Sequence, residues 1–427
     1  MDQQQQAHLA LEAIRKKLVG KELTYKEIYA VMDEIAEKRL GDVLTTYFVA
    51  SGYSKGFSDD ELYFLTKAMV ETGERLSFGG IVADKHSIGG TPGARTTMIV
   101  VPIVAVAGFT IPKSSSRAIT TPAGTVDSME VLANVTFTKK EINKIVEKTN
   151  GCIVWGGSFK IAPADDEIIR IEEPLMHESY DKVLVSVMAK KIAFGSNHVV
   201  IEIPYGKTVK VHREEEALLW AKKFEYLAKR FNVNLKVVID KVDEPAGGGV
   251  GPLLEARDAL RVLEQTENRS MDLEERALGL AGTLLDLCME DLSRARKKEI
   301  KAKYKTGYEW AKDLLITGAA HKKMSEIIQA QEGNPEVKST DLKPAKFAWD
   351  YESPKTGKII SVNNKNVSLL AKILGAPKDK KSGMDVFVKK GQTVKKGEVL
   401  ATFYGETKYK LKETIDSLDL FPIFTIE

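Results

Sequence analysis

The first part of the chain shows the spacing of apolar positions that is typical of amphipathic helices. The apolar positions that recur every three or four residues are Ile28, Val31, Met32 and Ile35. Thr24 precedes this run by four residues, and Glu27 follows Thr24 by three positions, which is the spacing of a capping box. Ser58 and Glu61 repeat that spacing before the next apolar run. The pattern predicts a small helical domain.

From Gly79 onward the pattern changes to apolar strands that alternate with helices. A short strand is predicted over Gly79–Ala83 and an apolar helix over Thr97–Val106. The clearest unit is a strand at Val199–Ile203, an amphipathic helix at Glu214–Arg230 and a second strand at Leu235–Ile239. Strand, helix and strand at this spacing predict a right-handed βαβ crossover in a parallel sheet.

The order of these patterns predicts three domains, two of them discontinuous in sequence. Residues 162–192 return to helical character, so the helical domain is expected to comprise 1–78 and 162–192. An α/β domain is expected over 79–161 and 193–335. A polar linker then leads to a C-terminal α+β domain at 345–427.

Two glycine-rich segments, 244–252 and 386–400, are predicted to form different structures. Residues 244–252 contain too many glycines for a regular element, so they are predicted to form a loop at a strand end. Residues 386–400 alternate apolar and polar positions with glycines placed for turns. This alternation resembles the flattened barrel of biotin and lipoyl carriers, but the Met-Lys-Met type of attachment site is absent from the sequence. We therefore interpret the segment as a structural β module that supports the sheet domain.

Composition narrows the classes of function. The 427 residues carry 63 basic and 60 acidic side chains, and the resulting net charge of +3 is not that of a nucleic-acid-binding protein. Cys152 and Cys288 are too few and too distant for a disulfide framework or a zinc cluster. The first residues have no basic, apolar leader pattern, and no apolar run is long enough to span a membrane. A cytoplasmic enzyme without a membrane partner is expected.

Two loops carry the chemistry. Residues 84–97 and 114–127 each combine glycines, hydroxyls and a cation. Glycines let backbone N–H groups approach an anion, hydroxyls donate further hydrogen bonds, and Lys or Arg supplies charge. No P-loop motif is present. Two such loops in succession predict a substrate with phosphate chemistry.

The histidines are candidate metal ligands and proton carriers. No His-Glu-x-x-His motif occurs, which argues against a catalytic zinc site. His86 differs from the others because it lies within the first loop. His177 and Glu178 form an adjacent pair, which more often lies on a solvated surface than acts as a general acid.

Several motifs in a fixed order resemble the thymidine and pyrimidine nucleoside phosphorylases and their relatives, the AMP phosphorylases. The motifs are Lys85-His86-Ser87-x-Gly89-Gly90, Ser115 through Thr125-x-Asp127, Ala162-Pro163-Ala164-Asp165, Ser186-Val187-Met188-x-Lys190-Lys191 with Gly195, and Lys396-Gly397-Glu398. The resemblance implies an α domain and an α/β domain separated by a cleft, and a barrel-sandwich-like C-terminal α+β domain. It also implies a homodimer joined through the helical domain, and closure on substrate.

The resemblance assigns roles residue by residue. Positions that match phosphate ligands are Lys85, Ser87, Thr97, Ser115 and Thr125. Positions that match base-facing residues are Ser186, Lys190 and, with a shift of one residue, Arg170. The nucleotide-binding positions of the AMP enzymes match Gly90, Ser116, Arg117, Ala118, Ile119, Thr120, Thr121 and Lys210. Glu178 stands where those enzymes have an acidic proton donor, normally Asp.

The second loop and Thr91-Pro92-Gly93 favour the AMP branch, because a 5′-phosphate needs a second anion site and Arg117 is a candidate for it. The expected reaction is phosphorolysis of an AMP-like nucleotide, with phosphate as co-substrate and no cofactor. A pyrimidine nucleoside phosphorylase, a magnesium-dependent phosphoribosyltransferase and a non-catalytic nucleotide-binding protein remain alternatives. AMP phosphorylases usually begin with an additional domain, whereas this chain starts at the helical region. A dimer is therefore expected rather than a larger assembly.

Overall fold

The structure is a computed structural model that describes residues 2–118, 121–158, 160–172 and 179–427. The chain begins with α1 (Gln3–Leu18), α2 (Tyr25–Ala36), α3 (Gly41–Lys55) and α4 (Asp59–Glu71). Next come β1 (Ala83–Ser87), α5 (Thr97–Val106), β2 (Ile111–Ser115), α6 (Thr125–Met129), α7 (Lys139–Thr149) and β3 (Gly151–Trp155). They are followed by α8 (Pro163–Glu172), α9 (Tyr180–Ala193), β4 (His198–Tyr205), α10 (Glu214–Arg230), β5 (Asn234–Lys241) and β6 (Gly249–Val250).

The remaining elements lie in the last two fifths of the chain. A run of helices comprises α11 (Pro252–Leu263), α12 (Met271–Met289), α13 (Arg294–Lys303), α14 (Gly307–Ile316) and α15 (Ala319–Ala330). The C-terminal region comprises β7 (Phe347–Glu352), β8 (Gly357–Val362), α16 (Asn364–Ile373), β9 (Gly383–Val386), β10 (Thr393–Val394), β11 (Val399–Gly405), α17 (Lys408–Asp416) and β12 (Phe424–Ile426).

The N-terminal helices begin where the sequence predicts. Thr24 caps α2 and Ser58 caps α4, each in a complete capping box with the glutamate three residues on. The predicted apolar face of α2 is buried. Glu61 also forms a buried ion pair with Lys17, with Nζ to Oε2 at 2.7 Å. The capping residues and the apolar positions in the sequence therefore predict the same helices, and the structure contains them.

Parallel strands form the centre of the molecule, and the predicted βαβ unit is confirmed as β4, α10 and β5. One parallel group has the order β1-β4-β5, and a second pairs β2 with β3. A bridge between Val82 and Thr110 joins the two groups through β1 and β2. From β1 the chain proceeds to β2 and β3 on one side and then returns to β4 on the other. Such a reversal opens a crevice at the carboxyl ends of the strands, where ligands bind in open α/β sheets.

The predicted strand at Gly79–Ala83 is wrong in its position. The strand starts at Ala83 and continues to Ser87, so the first residues of the predicted loop are β-structure. Lys85 lies opposite Val200 of β4, and Ser87 lies opposite Glu202. Backbone pairing with β4, together with buried partners for the polar side chains, allows these residues to extend the strand.

The C-terminal region contains two antiparallel sheets, with orders β6-β9-β11-β7 and β10-β8-β12. The edge strand β6 comes from the glycine-rich segment 244–252, which was predicted to be only a loop. Gly249 and Val250 pair with Asp385 and Met384 of β9. Residues 386–400 contain the short strand β10 and the start of β11, separated by turns, so the predicted alternation describes burial more than continuous strand. The α/β and α+β multidomain fold is confirmed, with no closed barrel among the described residues.

Three clusters of buried apolar side chains match these regions: one joins the helical region to α10, one surrounds α5, α11 and α12, and one fills the C-terminal region. Strand β4 contributes Val199 and Ile201 to the first cluster and Val200 to the second. The central sheet is thus covered on both faces, as expected for parallel strands. The predicted domain boundaries remain a prediction. Within the described ranges, no helix combines the length and apolar character needed to cross a membrane.

Candidate active site

A cleft with a cavity of about 180 Å³ opens at the carboxyl ends of β1 and β2. The loops that follow these strands form two walls, α9 forms a third, and the loop after β4 supplies Lys210. The assigned substrate residues that line it are Lys85, Ser87, Gly90, Thr97, Ser115, Ser116, Arg117, Ala118, Thr121, Thr125, Ser186, Lys190 and Lys210. Ile119, Thr120 and Glu178 lie outside the described residues. The fold thus brings together residues spread over more than a hundred positions of sequence.

Lys85 is held rigidly at the bottom of the cleft. Its Nζ donates a hydrogen bond to Thr96 Oγ1 at 2.7 Å and lies 3.3 Å from Glu202 Oε2. Burial lowers the pKa of Lys85, and the charge of Glu202 acts in the opposite direction. Burial also tends to raise the pKa of Glu202, but Lys85 and Arg276 outweigh it and hold this pKa at about 2. Glu202 is therefore a permanent anion that fixes the position of Lys85.

A second buried carboxylate, Asp84, holds two more lysines under the cleft. Lys191 Nζ is 2.7 Å from Asp84 Oδ2, and Lys113 Nζ is 3.7 Å from Asp84 Oδ1. Burial and the neighbouring charge of Lys191 lower the pKa of Lys113 well below its ordinary value. Lys113 and Lys191 also line the cleft. Two lysines to which the resemblance assigns no role, one on β2 and one on α9, therefore belong to the wall of the cleft.

The loop after β2 is organised by Asp127 at the start of α6. Asp127 Oδ2 accepts hydrogen bonds from the amides of Ala118 and Gly124, at 2.8 and 2.9 Å. One carboxylate thus holds the amides of two residues six positions apart. Gly124 is needed there because a Cβ would lie 2.8 Å from the carbonyl oxygen of Ser116. Ser115, Thr121 and Thr125 line the cleft on this side.

Arg117 lines the cleft, but its charge is used within the loop. Its Nη1 and Nη2 each donate to a carboxylate oxygen of Glu130 at 2.7 Å. The guanidinium also lies over the ring of Trp155, 5.1 Å from the centroid. Glu130 raises the pKa of Arg117 further. The predicted role of Arg117 as a second anion site therefore meets strong competition from this carboxylate.

The wall formed by α9 carries a polar pair on one helical face. Ser186 Oγ donates to Asp165 Oδ2 at 2.8 Å, and Lys190 Nζ lies 2.6 Å from the same oxygen. Burial tends to raise the pKa of Asp165, but Lys190 and Lys182 outweigh it and hold the pKa below its ordinary value. Asp165 thus orients both base-facing candidates, which stand one helical turn apart.

The position assigned to Arg170 by a one-residue shift does not reach this cleft. Arg170 is exposed and pairs with Asp42 and Glu167. Ile169 lines the cleft instead, together with Val183 and Val187 of α9. Since successive helix positions point about 100° apart, the shift of one residue moves the side chain off the cleft face. This wall of the cleft is therefore aliphatic around one serine and one lysine.

His86 is half-buried beside four lysines. Burial, followed by the charges of Lys191 and Lys113, lowers the pKa of His86 well below its ordinary value. The imidazole is therefore neutral at physiological pH, and a role as general acid is disfavoured. No group of three or more His, Cys, Asp or Glu side chains suited to a metal ion occurs in the described part of the chain.

Four residues that shape the cleft were not assigned from the sequence: Arg95, Lys113, Asp165 and Lys191. Arg95 is buried, pairs with Glu255 and donates to Thr125 Oγ1 at 3.4 Å, so it links the two loops. Arg95 and Lys113 lie within or beside the two predicted loops, so their positive charge could have marked them as candidates in the sequence. The role of Asp165 depends on α8 packing near α9, which the sequence pattern does not reveal.

The fold and the cleft together define a class: a protein with helical and α/β regions and a cation-rich cleft at the carboxyl ends of parallel strands. Family comparison agrees. The "Glycosyl transferase family, a/b domain" matches residues 79–321, and the helical bundle domain of the same family matches 11–73. The "Pyrimidine nucleoside phosphorylase C-terminal domain" matches residues 358–420. The chain belongs to this glycosyl transferase family.

Individual relatives refine the comparison. The AMP phosphorylase of Thermofilum pendens is 43% identical over 404 residues, which are 94% of this chain and 76% of the relative. A Legionella pneumophila (strain Paris) protein, provisionally named thymidine phosphorylase, is 40% identical over 96% of this chain and 76% of its own. Among solved structures, anthranilate phosphoribosyltransferase from Thermus thermophilus matches with a TM-score of 0.61 at 17% identity. It covers 75% of this chain and 99% of its own, and the likeness concerns the fold alone.

Gly90 provides a test of the cleft geometry. It has a φ of +87°, and a Cβ at this position would lie 2.7 Å from the backbone nitrogen of Lys210. Gly89 has a φ of +90° but open space around its Cβ position, so it is a matched control for backbone strain. We expect Gly90→Ala to lower kcat/KM for the nucleotide by about a hundredfold, because it displaces the Lys210 loop. Gly89→Ala should cost only the strain, about 1 kcal/mol. If steady-state kinetics showed the same loss of kcat/KM in Gly90→Ala and Gly89→Ala, the contact of Gly90 with Lys210 would be contradicted.

Asp165→Asn and Asp166→Asn are expected to change the stability of the protein in opposite directions, because the pKa values of the two carboxyls are shifted in opposite directions. Burial raises the pKa of Asp166 to about 6, so the folded state favours its protonated form. The contribution of this carboxyl to folding stability is fully present at low pH and is lost as the pH rises from about 4 to about 6. Asp166→Asn should therefore raise Tm at pH 8, through a gain of at most about 3 kcal/mol in stability, and leave it unchanged at pH 4. Asp165→Asn should lower Tm at pH 8. Thermal unfolding of both variants measures these effects. A lower Tm of Asp166→Asn at pH 8 would reject the raised pKa of Asp166.

Proposed function

We propose that this protein is a nucleoside 5′-monophosphate phosphorylase. It cleaves the N-glycosidic bond of AMP or a similar nucleotide with inorganic phosphate and releases free base and ribose 1,5-bisphosphate. The observation that carries the proposal is the convergence of two anion-binding loops and Lys210 on one cleft. One loop suffices for the attacking phosphate, and the second accommodates a phosphate on the substrate. The names of the archaeal relatives support the same reaction.

Inorganic phosphate is assigned to the β1 side of the cleft. Lys85 and Ser87 lie at the end of β1, Thr97 begins α5, and Ser115 and Thr125 border the second loop. The N-terminus of α5 adds the partial positive charge of the helix dipole. The second loop, from Ser116 to Thr121, and Lys210 are assigned to the 5′-phosphate. Gly90 lets the Lys210 backbone approach closely.

The reaction requires charge compensation at both ends of the breaking bond. Phosphate forms a bond to C1′ as the bond from C1′ to the base nitrogen breaks, and the bonding pair leaves with the base. The ribose becomes positive and the base negative in the transition state. The anionic nucleophile, held in line by the phosphate residues, stabilises the ribose. Ser186 and Lys190, oriented by Asp165, stabilise the base.

Glu178 is assigned the proton transfer to the leaving base, on the resemblance to the AMP phosphorylases. A purine leaving group needs such a proton, and a carboxylic acid can supply it. The reaction needs no cofactor, because phosphate itself is the co-substrate. Association as a homodimer through the helical region and a cytoplasmic location are part of the same proposal.

A pyrimidine nucleoside phosphorylase is the second candidate. It is favoured by the match of residues 358–420 to the pyrimidine nucleoside phosphorylase C-terminal domain and by the Legionella relative. The two candidates differ in one requirement, since a nucleoside carries no 5′-phosphate for the second loop. A phosphoribosyltransferase would depend on magnesium, and a non-catalytic nucleotide-binding protein would release no product.

A substrate panel separates these candidates. The purified protein is incubated with phosphate and with matched pairs of nucleosides and their 5′-monophosphates, in the presence and absence of a metal chelator. We expect release of free base from AMP or another 5′-monophosphate, at the same rate with chelator. Activity restricted to unphosphorylated nucleosides would reject the nucleotide phosphorylase, and binding without product would reject catalysis.

Glu178 is tested by two substitutions of different chemistry. Glu178→Gln keeps the size but removes the acid, so we expect turnover to fall by about a hundredfold or more while nucleotide binding changes little. Glu178→Asp keeps the acid and is the residue type of the AMP enzymes, so it should retain much more activity. Single-turnover kinetics and calorimetric binding measure the two effects. Unchanged turnover in Glu178→Gln would remove this residue from the mechanism.

A further inference from the structure

Lys380 belongs to the C-terminal region but reaches the second loop of the cleft. It lies between α16 and β9, in a segment fixed against the start of α11. The carbonyl oxygen of Lys380 accepts a hydrogen bond from the amide of Leu253 at 3.0 Å. Close by, a Cβ on Gly251 would lie only 2.5 Å from the carbonyl oxygen of Ser382. The backbone that carries Lys380 is therefore tightly packed on the central region.

The ammonium group of Lys380 bridges two carboxylates. Its Nζ donates to Asp127 Oδ1 at 3.1 Å and lies 2.8 Å from Glu130 Oε2. Asp127 is almost completely buried, whereas Lys380 and Glu130 are each about one third exposed. Lys380 and Arg117 together lower the pKa of Glu130 to about 2, with Arg117 as the larger cause. Glu130 is thus ionised at physiological pH.

These carboxylates are the groups that shape the second loop. Asp127 holds the amides of Ala118 and Gly124, and Glu130 holds the guanidinium of Arg117. Two anions are balanced by two cations, Arg117 and Lys380. Without Lys380 the cluster has a net negative charge beside a cleft that receives anions, and both carboxylates must share the guanidinium of Arg117.

We propose that Lys380 is a positioning residue for the second loop and, through it, for the 5′-phosphate of the nucleotide. It acts in two ways. It fixes the Asp127 carboxylate in the orientation that accepts both loop amides, and it cancels the charge that would repel a phosphate dianion. The link to the 5′-phosphate rests on the proposed function, whereas the effect on the loop does not.

The first test measures the loop itself and needs no substrate. Hydrogen exchange of peptides covering residues 116–127 is compared in three proteins: the unaltered protein, the Lys380→Met variant and the Lys381→Met variant. Lys381 is the adjacent lysine and has an exposed side chain, so it controls for loss of a surface charge. We expect exchange at Ala118 and Gly124 to accelerate by at least about tenfold in Lys380→Met, the factor for weakening one charge-assisted hydrogen bond. Lys381→Met should match the unaltered protein. Unchanged exchange in Lys380→Met would overturn the proposal.

The second test measures substrate. Lys380→Met should raise KM for the nucleotide by about tenfold and leave kcat within about twofold. KM for inorganic phosphate should rise by a smaller factor, because only Ser115 and Thr125 among its assigned ligands belong to this loop. The increase should shrink at high ionic strength, because charge is part of its cause. Lys380→Arg should restore KM, which a merely structural defect would not predict. Lys380→Gln gives the same comparison if the Met variant loses stability.

The two tests separate the two proposals. If the unaltered protein turns over no nucleotide, the proposed function fails and the exchange experiment alone decides the role of Lys380. Faster exchange with unchanged nucleotide KM would overturn the link between the loop and the 5′-phosphate. Equal rises in KM for nucleotide and inorganic phosphate would do so as well, because they indicate a general loss of the cleft.

Discussion

Buried carboxylates beneath the cleft are the constraint on which the site depends. Asp84, Glu202, Glu255 and Asp165 are each almost fully buried, and each pairs with a cation that lines the cleft. A buried lysine or arginine without such a partner would lose its proton or its position. The pairs keep several cations close together although like charges repel. An arriving anion therefore meets positive charge that is already oriented, which reduces the reorganisation needed on binding.

Much of the fold could be predicted because local signals agree with it. Capping boxes at Thr24 and Ser58 mark helices that form as expected, and α5 spans the predicted residues 97–106. The predicted strand before the first loop was misplaced, because Lys85 and His86 lie in β1 although they are polar. Their burial depends on β4, which is more than a hundred residues away. A polar strand of this kind cannot be recognised from periodicity alone.

The candidate site was predicted as a set of residues rather than as a network. Apart from Arg170, the assigned substrate positions within the described ranges line one cleft, although their roles remain predictions. The partners that orient them are distant in sequence. Asp165 stands 21 residues before Ser186, and Lys380 stands 253 residues after Asp127. Arg117 shows the reverse case, since Glu130, only 13 residues on, takes the charge that was assigned to substrate. Residue types indicate which chemistry is possible, but competition between partners appears only in three dimensions.

The short strand β6 gives the central and C-terminal regions of the molecule a shared sheet. Gly249 and Val250 belong by sequence to the segment before α11, yet they complete the C-terminal sheet through Met384 and Asp385. The regions are thus joined by main-chain hydrogen bonds whose register is fixed, not only by side-chain contacts that can be repacked. Recombination between relatives is constrained accordingly: a transplanted C-terminal module must preserve this two-residue alignment, and the crossover point cannot be chosen from the linker at residues 332–344 alone.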